Sequence, residues 1–145
     1  MKYPLKIFLQ LIFFFAFTTC KKDSGQSDIP NVLVDFVIYL NEPSSVNLNV
    51  ITGRVYVNGG VRGIIIYRQS QDEFIAIERN CSYQPTTASA IVSVDSSNTS
   101  FLKDGSCGSR FYISDGSVAN GPATVPLKRY QTSYNSTNAT VHVYN

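Results

Sequence analysis

Histidine is nearly missing from this 145-residue chain: a single one, His142, stands against nine tyrosines and nine phenylalanines. No site within one chain can therefore draw on two imidazoles. Charge is scarce as well. Lys, Arg, Asp and Glu together make up 15% of the residues, and no run of basic residues is interleaved with aromatics, so nothing pulls the chain toward nucleic acid. No phosphate-binding glycine loop and no nucleophile–base pair is visible, which leaves an independent enzyme without support. There is no internal repeat and no sign of a second domain. The one long apolar run, Ile7 to Phe17, is interrupted by Gln10 and is too short to span a bilayer comfortably as a helix. Cysteine occurs three times, at Cys20, Cys81 and Cys107.

What is present begins with that run. Lys2 and Lys6 flank its start, and Phe17-Thr18-Thr19-Cys20 closes it. A charged start, a short apolar core and small residues at the end describe a signal peptide. Its end resembles the lipobox of bacterial lipoproteins, in which a cysteine behind small residues is acylated and becomes the new N-terminus; Phe17 stands where leucine is usual. The expectation is a lipoprotein signal peptide over 1–19, lipidation by palmitate or a similar chain at Cys20, and a lipid-anchored tether over 20–30. Lys21 to Asp28 is polar and contains Ser and Gly, a composition that does not pack. Lys22-Asp23 is similar to the export signal of some Gram-negative surface lipoproteins. The expected location is thus the outer membrane or cell surface of a Gram-negative bacterium, with the membrane as a partner through the N-terminal lipid. Loss of Lys2 and Lys6 takes the twelve basic residues to ten, against ten acidic ones. About 126 residues remain, the size of one domain. With Cys20 acylated, Cys81 and Cys107 form an even pair in an oxidising compartment, where a disulfide is the default.

Residues 31–145 read as all-β. Turn residues recur every eight to twelve positions between short β-branched or aromatic runs, a sandwich or barrel pattern. Val32–Leu40 predicts a long strand, broken by Asn41-Glu42-Pro43-Ser44-Ser45. Gly53–Val57, Gly63–Arg68 and Glu73–Glu78 predict consecutive antiparallel strands, with Asn58-Gly59-Gly60 as a tight turn. Glu73–Glu78 alternates with period two. Later strands are expected at Ala90–Val94, Thr99–Leu102, Arg110–Ile113, Leu127–Tyr134 and Ala139–Tyr144, with turns at Asp95–Asn98 and Asn135-Ser136. Nothing reads as a helix.

Three blocks from Gly60 onward resemble the Rieske domain. Ile64–Arg68, a turn, Phe74–Ile77 and Cys81-Ser82-Tyr83 are similar to the strands that enter the family's first cluster loop. Cys107-Gly108-Ser109-Arg110-Phe111 is similar to the second loop and its exit. Asp115-Gly116 through Gly121-Pro122-Ala123 to Leu127 looks like the Asp-Gly turn and proline loop. The resemblance implies stacked antiparallel sheets, here with extra N-terminal strands before Gly60. It also implies two loops facing each other under a third one, Gly121-Pro122-Ala123.

A Rieske [2Fe–2S] centre takes two cysteines on one iron and two histidines on the other. The family carries them as Cys-x-His and Cys-x-x-His-Gly. Here Tyr83 occupies the first histidine position. In the second loop, alignment on Gly108–Phe111 puts Asp104 at the cysteine and Cys107 at the histidine. Alignment on Cys107 instead puts Arg110 at the histidine, and a guanidinium cannot ligate metal. Either register lacks the histidines, so the expectation is no [2Fe–2S] cofactor and no metal, a mixed Cys81/Tyr83/Asp104/Cys107 set matching no common cluster site. A Cys81–Cys107 disulfide is the candidate clip between the loops, with Tyr83 covering the site and its hydroxyl hydrogen-bonded. His142 alternates with Val141 and Val143 and is expected to face outward. The favoured reading is a non-enzymatic binding or structural lipoprotein that has lost the cluster. Electron transfer by an altered cluster and a thiol–disulfide sensor are the alternatives; the protein or small-molecule partner is unspecified.

Overall fold

The computed structural model describes residues 29–145. The expected signal peptide, the lipidation site Cys20 and all but the end of the tether lie outside the described residues. Among the described residues ten strands form two antiparallel sheets. The larger sheet contains β1 (Asp35–Tyr39), β2 (Arg54–Val57), β3 (Ile64–Arg68), β4 (Phe74–Glu78), β9 (Arg129–Asn135) and β10 (Thr140–Tyr144), in the order β1-β10-β9-β4-β3-β2. The smaller one is a meander of β5 (Val92–Val94), β6 (Phe101–Asp104), β7 (Arg110–Tyr112) and β8 (Val118–Asn120). The fold class is all-β, as expected.

The two sheets meet across β3 and β4, and the sequence of these strands explains why. Successive side chains in a strand point to opposite faces. Ile64, Ile66, Phe74 and Ala76 enter one apolar cluster with Leu48, Val55, Tyr130, Val141 and Val143. Ile65, Ile75 and Ile77 enter a second cluster with Cys81, Val92, Leu102, Phe111, Ala123 and Leu127. Both faces of this hairpin are therefore covered. The one-sided alternation expected of Glu73–Glu78 is corrected on this point: every residue of β4 is buried. Each such isoleucine contributes roughly 1.5–3 kcal/mol of transfer free energy.

The extra N-terminal strands are there, and they occupy the two outer edges of the larger sheet. β1 pairs with β10 and β2 pairs with β3. The first of them is shorter than Val32–Leu40 because Val34 leaves the ladder. Its N–H donates to the Asn145 side chain at 2.7 Å, and its carbonyl accepts the Asn145 N–H at 3.1 Å. The expectation that nothing is helical is corrected at the break: Pro43–Asn49 is a 3-10 helix, opened by Pro43, whose fixed φ suits a helix start, and it buries Leu48. Strand β8 was not expected from the sequence; its three residues are half-buried or exposed and carry no alternation to mark them.

Candidate functional site

Three loops gather at one end of the second apolar cluster. The first leaves β4 at Glu78. Its carboxylate is fully buried and accepts four hydrogen bonds: the N–H groups of Val61 (2.8 Å), Arg62 (2.9 Å) and Asn80 (2.9 Å), and the Tyr130 hydroxyl (2.8 Å). Burial, then the Glu78 carboxylate beside it, raises the Tyr130 phenol above its usual range. Gly60 is the residue this cradle requires. Its φ is +59°, and a Cβ there would lie 2.1 Å from a Glu78 oxygen. Arg62 then reaches across to the Asn80 side chain (3.0 Å) and the Thr87 carbonyl (3.0 Å). Cys81 N–H closes the loop on the Ala90 carbonyl at 3.0 Å. Cys81 is fully buried as a result.

The second loop is the tip of the β6–β7 hairpin. Asp104 folds it. Its Oδ1 accepts the N–H of Ser106 at 2.7 Å and of Cys107 at 3.2 Å, while its carbonyl accepts Gly108 N–H at 3.0 Å. Gly108 turns the chain back with φ +79°, a conformation a side chain would oppose. The third loop, with a cis Gly121–Pro122 bond, lies over the other two. Ala123 N–H donates to Ser109 Oγ at 2.9 Å, and the Ser82 hydroxyl donates to the Val125 carbonyl. Ala123 and Val125 thus tie the third loop to both of the others.

Under these loops Cys81, Asp104 and Cys107 converge. One sulfur of each cysteine and a carboxylate oxygen of Asp104 all lie within 4.8 Å of one another. Cys81 and Asp104 are buried and Cys107 is half-buried. Cys107 Sγ lies 3.0 Å from Ser109 Oγ, to which the thiol donates, and 3.4 Å from Ser109 N, whose N–H it accepts. Burial pushes the Cys81 thiol well above its ordinary range. The Tyr83 N–H opposes that shift, while the Asp104 side chain and Cys107 add to it. The second carboxylate oxygen, Asp104 Oδ2, is buried and has no hydrogen-bond partner.

Of the second-loop residues considered, Asp104 and Cys107 are the ones brought beside Cys81. Arg110 is not brought into the site. It leaves on β7, pairs with Asp95 at 2.9 Å and lies 4.4 Å over the Phe101 ring. Tyr83 is half-buried against the same apolar cluster as Cys81. The two cysteines are free thiols here, so the clip expected between the loops is not formed. Their sulfurs are neighbours, but a bond requires them to close to about 2.05 Å. His142 does face outward, on β10, and holds Asp35 at 2.6 Å.

This donor set does not fit a Rieske [2Fe–2S] centre. Such a centre needs two imidazoles on one iron, and the lone histidine of the sequence, His142, lies on β10, engaged with Asp35. Two residues important to the site carry no sequence signal of their own. Glu78 reads as the polar end of a strand, and Ser109 reads as one serine among many; only the folded turn at 60–62 and the third loop give them their roles.

No family model and no curated protein matches this chain. Among solved structures it is similar to a chain described as "Complex of reduced oxygenase and oxidized ferredoxin in carbazole 1,9a-dioxygenase", with 23% identity and a TM-score of 0.46. That likeness covers 65% of this chain and 90% of the other.

Proposed function

We propose that this chain is a lipid-anchored envelope lipoprotein whose Rieske-like domain works without an iron–sulfur cluster, as a binding or structural module. One observation carries the reading. The loops that would hold the cluster are present, adjacent and capped by a third, yet the side chains at their tips are two cysteines and an aspartate with no imidazole among them. The scaffold's effort goes into fixing loops: the Glu78 cradle, the Arg62 brace and the Ser109–Ala123 bond all order backbone. The lipid anchor rests on the Thr18-Thr19-Cys20 ending of the apolar run.

Iron analysis tests this reading. Protein expressed with ample iron and purified without oxygen is expected to be colourless, with neither stoichiometric iron nor acid-labile sulfide. Two irons per chain with matching sulfide would replace it with electron transfer. A second reading, a thiol–disulfide sensor, is favoured by the proximity of the two free thiols. Thiol titration before and after reduction separates it: a sensor yields a reversible loss of two thiols.

A further inference from the structure

We propose that Cys81, Asp104 and Cys107 form a mononuclear site for a thiophilic divalent cation, zinc, with three protein ligands and one open position. The inference rests on the loss of the cluster but names what the altered loops hold. Spacing is the first support. Ligand atoms around one tetrahedral ion with Zn–S bonds of about 2.3 Å lie roughly 3.8 Å apart, and the three donors here already fall within 4.8 Å of one another. Small movements close that gap around a single ion.

The second support is the unpartnered oxygen. Asp104 is 1% exposed. Its Oδ1 is used by the loop's own N–H groups, whereas Oδ2 has no partner. Among the described residues no Lys or Arg forms a salt bridge with it, since the one guanidinium on the adjoining strand, Arg110, is held by Asp95. A buried carboxylate requires a cation or a hydrogen bond. One carboxylate oxygen of Asp104 lies within 4.8 Å of both sulfurs, and a cation among these three donors supplies what the carboxylate lacks.

The third support is the N–H group behind one of the sulfurs. Ser109 N–H donates to Cys107 Sγ at 3.4 Å, an outer contact that orients a thiolate ligand. Ser109 Oγ accepts Ala123 N–H, so its own proton is free to turn toward Cys107 once that sulfur is a thiolate. Binding releases the two thiol protons to solvent and forms two Zn–S bonds and one Zn–O bond. Thiolate donors select soft and borderline ions over magnesium or calcium.

The test uses untagged, reduced, chelator-treated protein, kept anaerobic and titrated with Zn²⁺ and, as a coloured probe, Co²⁺. One ion per chain is expected. Cobalt should give sulfur-to-metal charge-transfer absorption and the intense visible bands of a tetrahedral site. Asp104→Asn keeps the Oδ1 acceptor and is expected to weaken Zn²⁺ at least tenfold while leaving the metal-free melting temperature unchanged or raised. A merely structural Asp104 would do the reverse. Cys107→Ser, at the half-buried ligand, should abolish most of the charge-transfer band. Absence of stoichiometric Zn²⁺ in colourless, iron-free protein would overturn the site and leave the cluster-loss reading standing. Binding undiminished in both variants would also overturn it. Two irons with labile sulfide would remove both.

Discussion

Ser109 and Ala123 join the second loop to the third: Ala123 N–H donates to Ser109 Oγ at 2.9 Å, and both residues are buried. The contact holds the covering loop over Cys81 and Cys107. It also engages the neighbour of a site thiol, because the same oxygen accepts from Cys107. Ser109→Ala leaves the Ala123 N–H buried without a partner, which costs about 1–3 kcal/mol. Denaturant unfolding should show that loss. Amide exchange at Ala123 should quicken, with little change in the distant β1–β10 pair; uniform quickening across both sheets would contradict a local role.

The Glu78 cradle makes a second prediction. Four donors converge on one buried carboxylate, so Glu78→Ala orphans several N–H groups at once. Breaking a buried network of this kind costs about 3–5 kcal/mol. Gly60→Ala should also destabilise, because the new Cβ meets a Glu78 oxygen at 2.1 Å. Since both changes strike the same contact, a double-mutant cycle should show strong non-additivity. Additive losses would mean the two residues act separately.

Asp95 gives a pH dependence. Its carboxylate accepts the Ser97 hydroxyl and N–H at 2.7 and 2.9 Å and pairs with Arg110 at 2.9 Å. The Ser97 contacts first, and Arg110 and Lys103 after them, outweigh the opposing cost of burial and hold its pKa below the ordinary range. A lowered native pKa contributes stability above the unfolded value, about 3.9, that fades as pH falls through the native one. Asp95→Asn should therefore be less stable than the parent at pH 7, and the gap should close in acid below pH about 4. Unfolding midpoints measured from pH 7 to 2 check this; a gap of constant size would refute it.

Strands were legible in the sequence where β-branched residues cluster, as in Ile64-Ile65-Ile66, and where turns are marked, as at Asn58-Gly59-Gly60. The double burial of β4 was not, because alternation of Phe74, Ile75, Ala76 and Ile77 cannot reveal that two sheets cover one hairpin. Val118–Asn120 is too short and too polar to stand out. At the site, Gly108–Phe111 placed Asp104 and Cys107 opposite Cys81, and the fold brings these three together. The sequence leaves Arg110 open as an alternative because adjacent registers share the same residues; in the structure Arg110 is paired with Asp95 on β7 rather than beside Cys81. Glu78 carries no signal in the sequence because its burial depends on a turn formed sixteen to eighteen residues earlier.

Membrane attachment is a prediction about residues before the described ones. Cys20→Ala should abolish incorporation of a labelled fatty acid and move the protein from the membrane to the soluble fraction. A wild-type chain that takes up no label would contradict lipidation at Cys20.

The most direct measurement is iron and acid-labile sulfide in the full chain, expressed with abundant iron in cells that assemble clusters and purified without oxygen. On the proposed reading, in which Tyr83 and Cys107 stand where a Rieske domain has imidazoles, the protein should contain neither in stoichiometric amount, should lack visible absorption, and should give no electron paramagnetic signal after reduction. Tyr83→His alone should not restore them, since the second loop still offers Asp104 and Cys107. About two irons and two sulfides per chain, with a paramagnetic signal on reduction, would contradict the loss of the cluster.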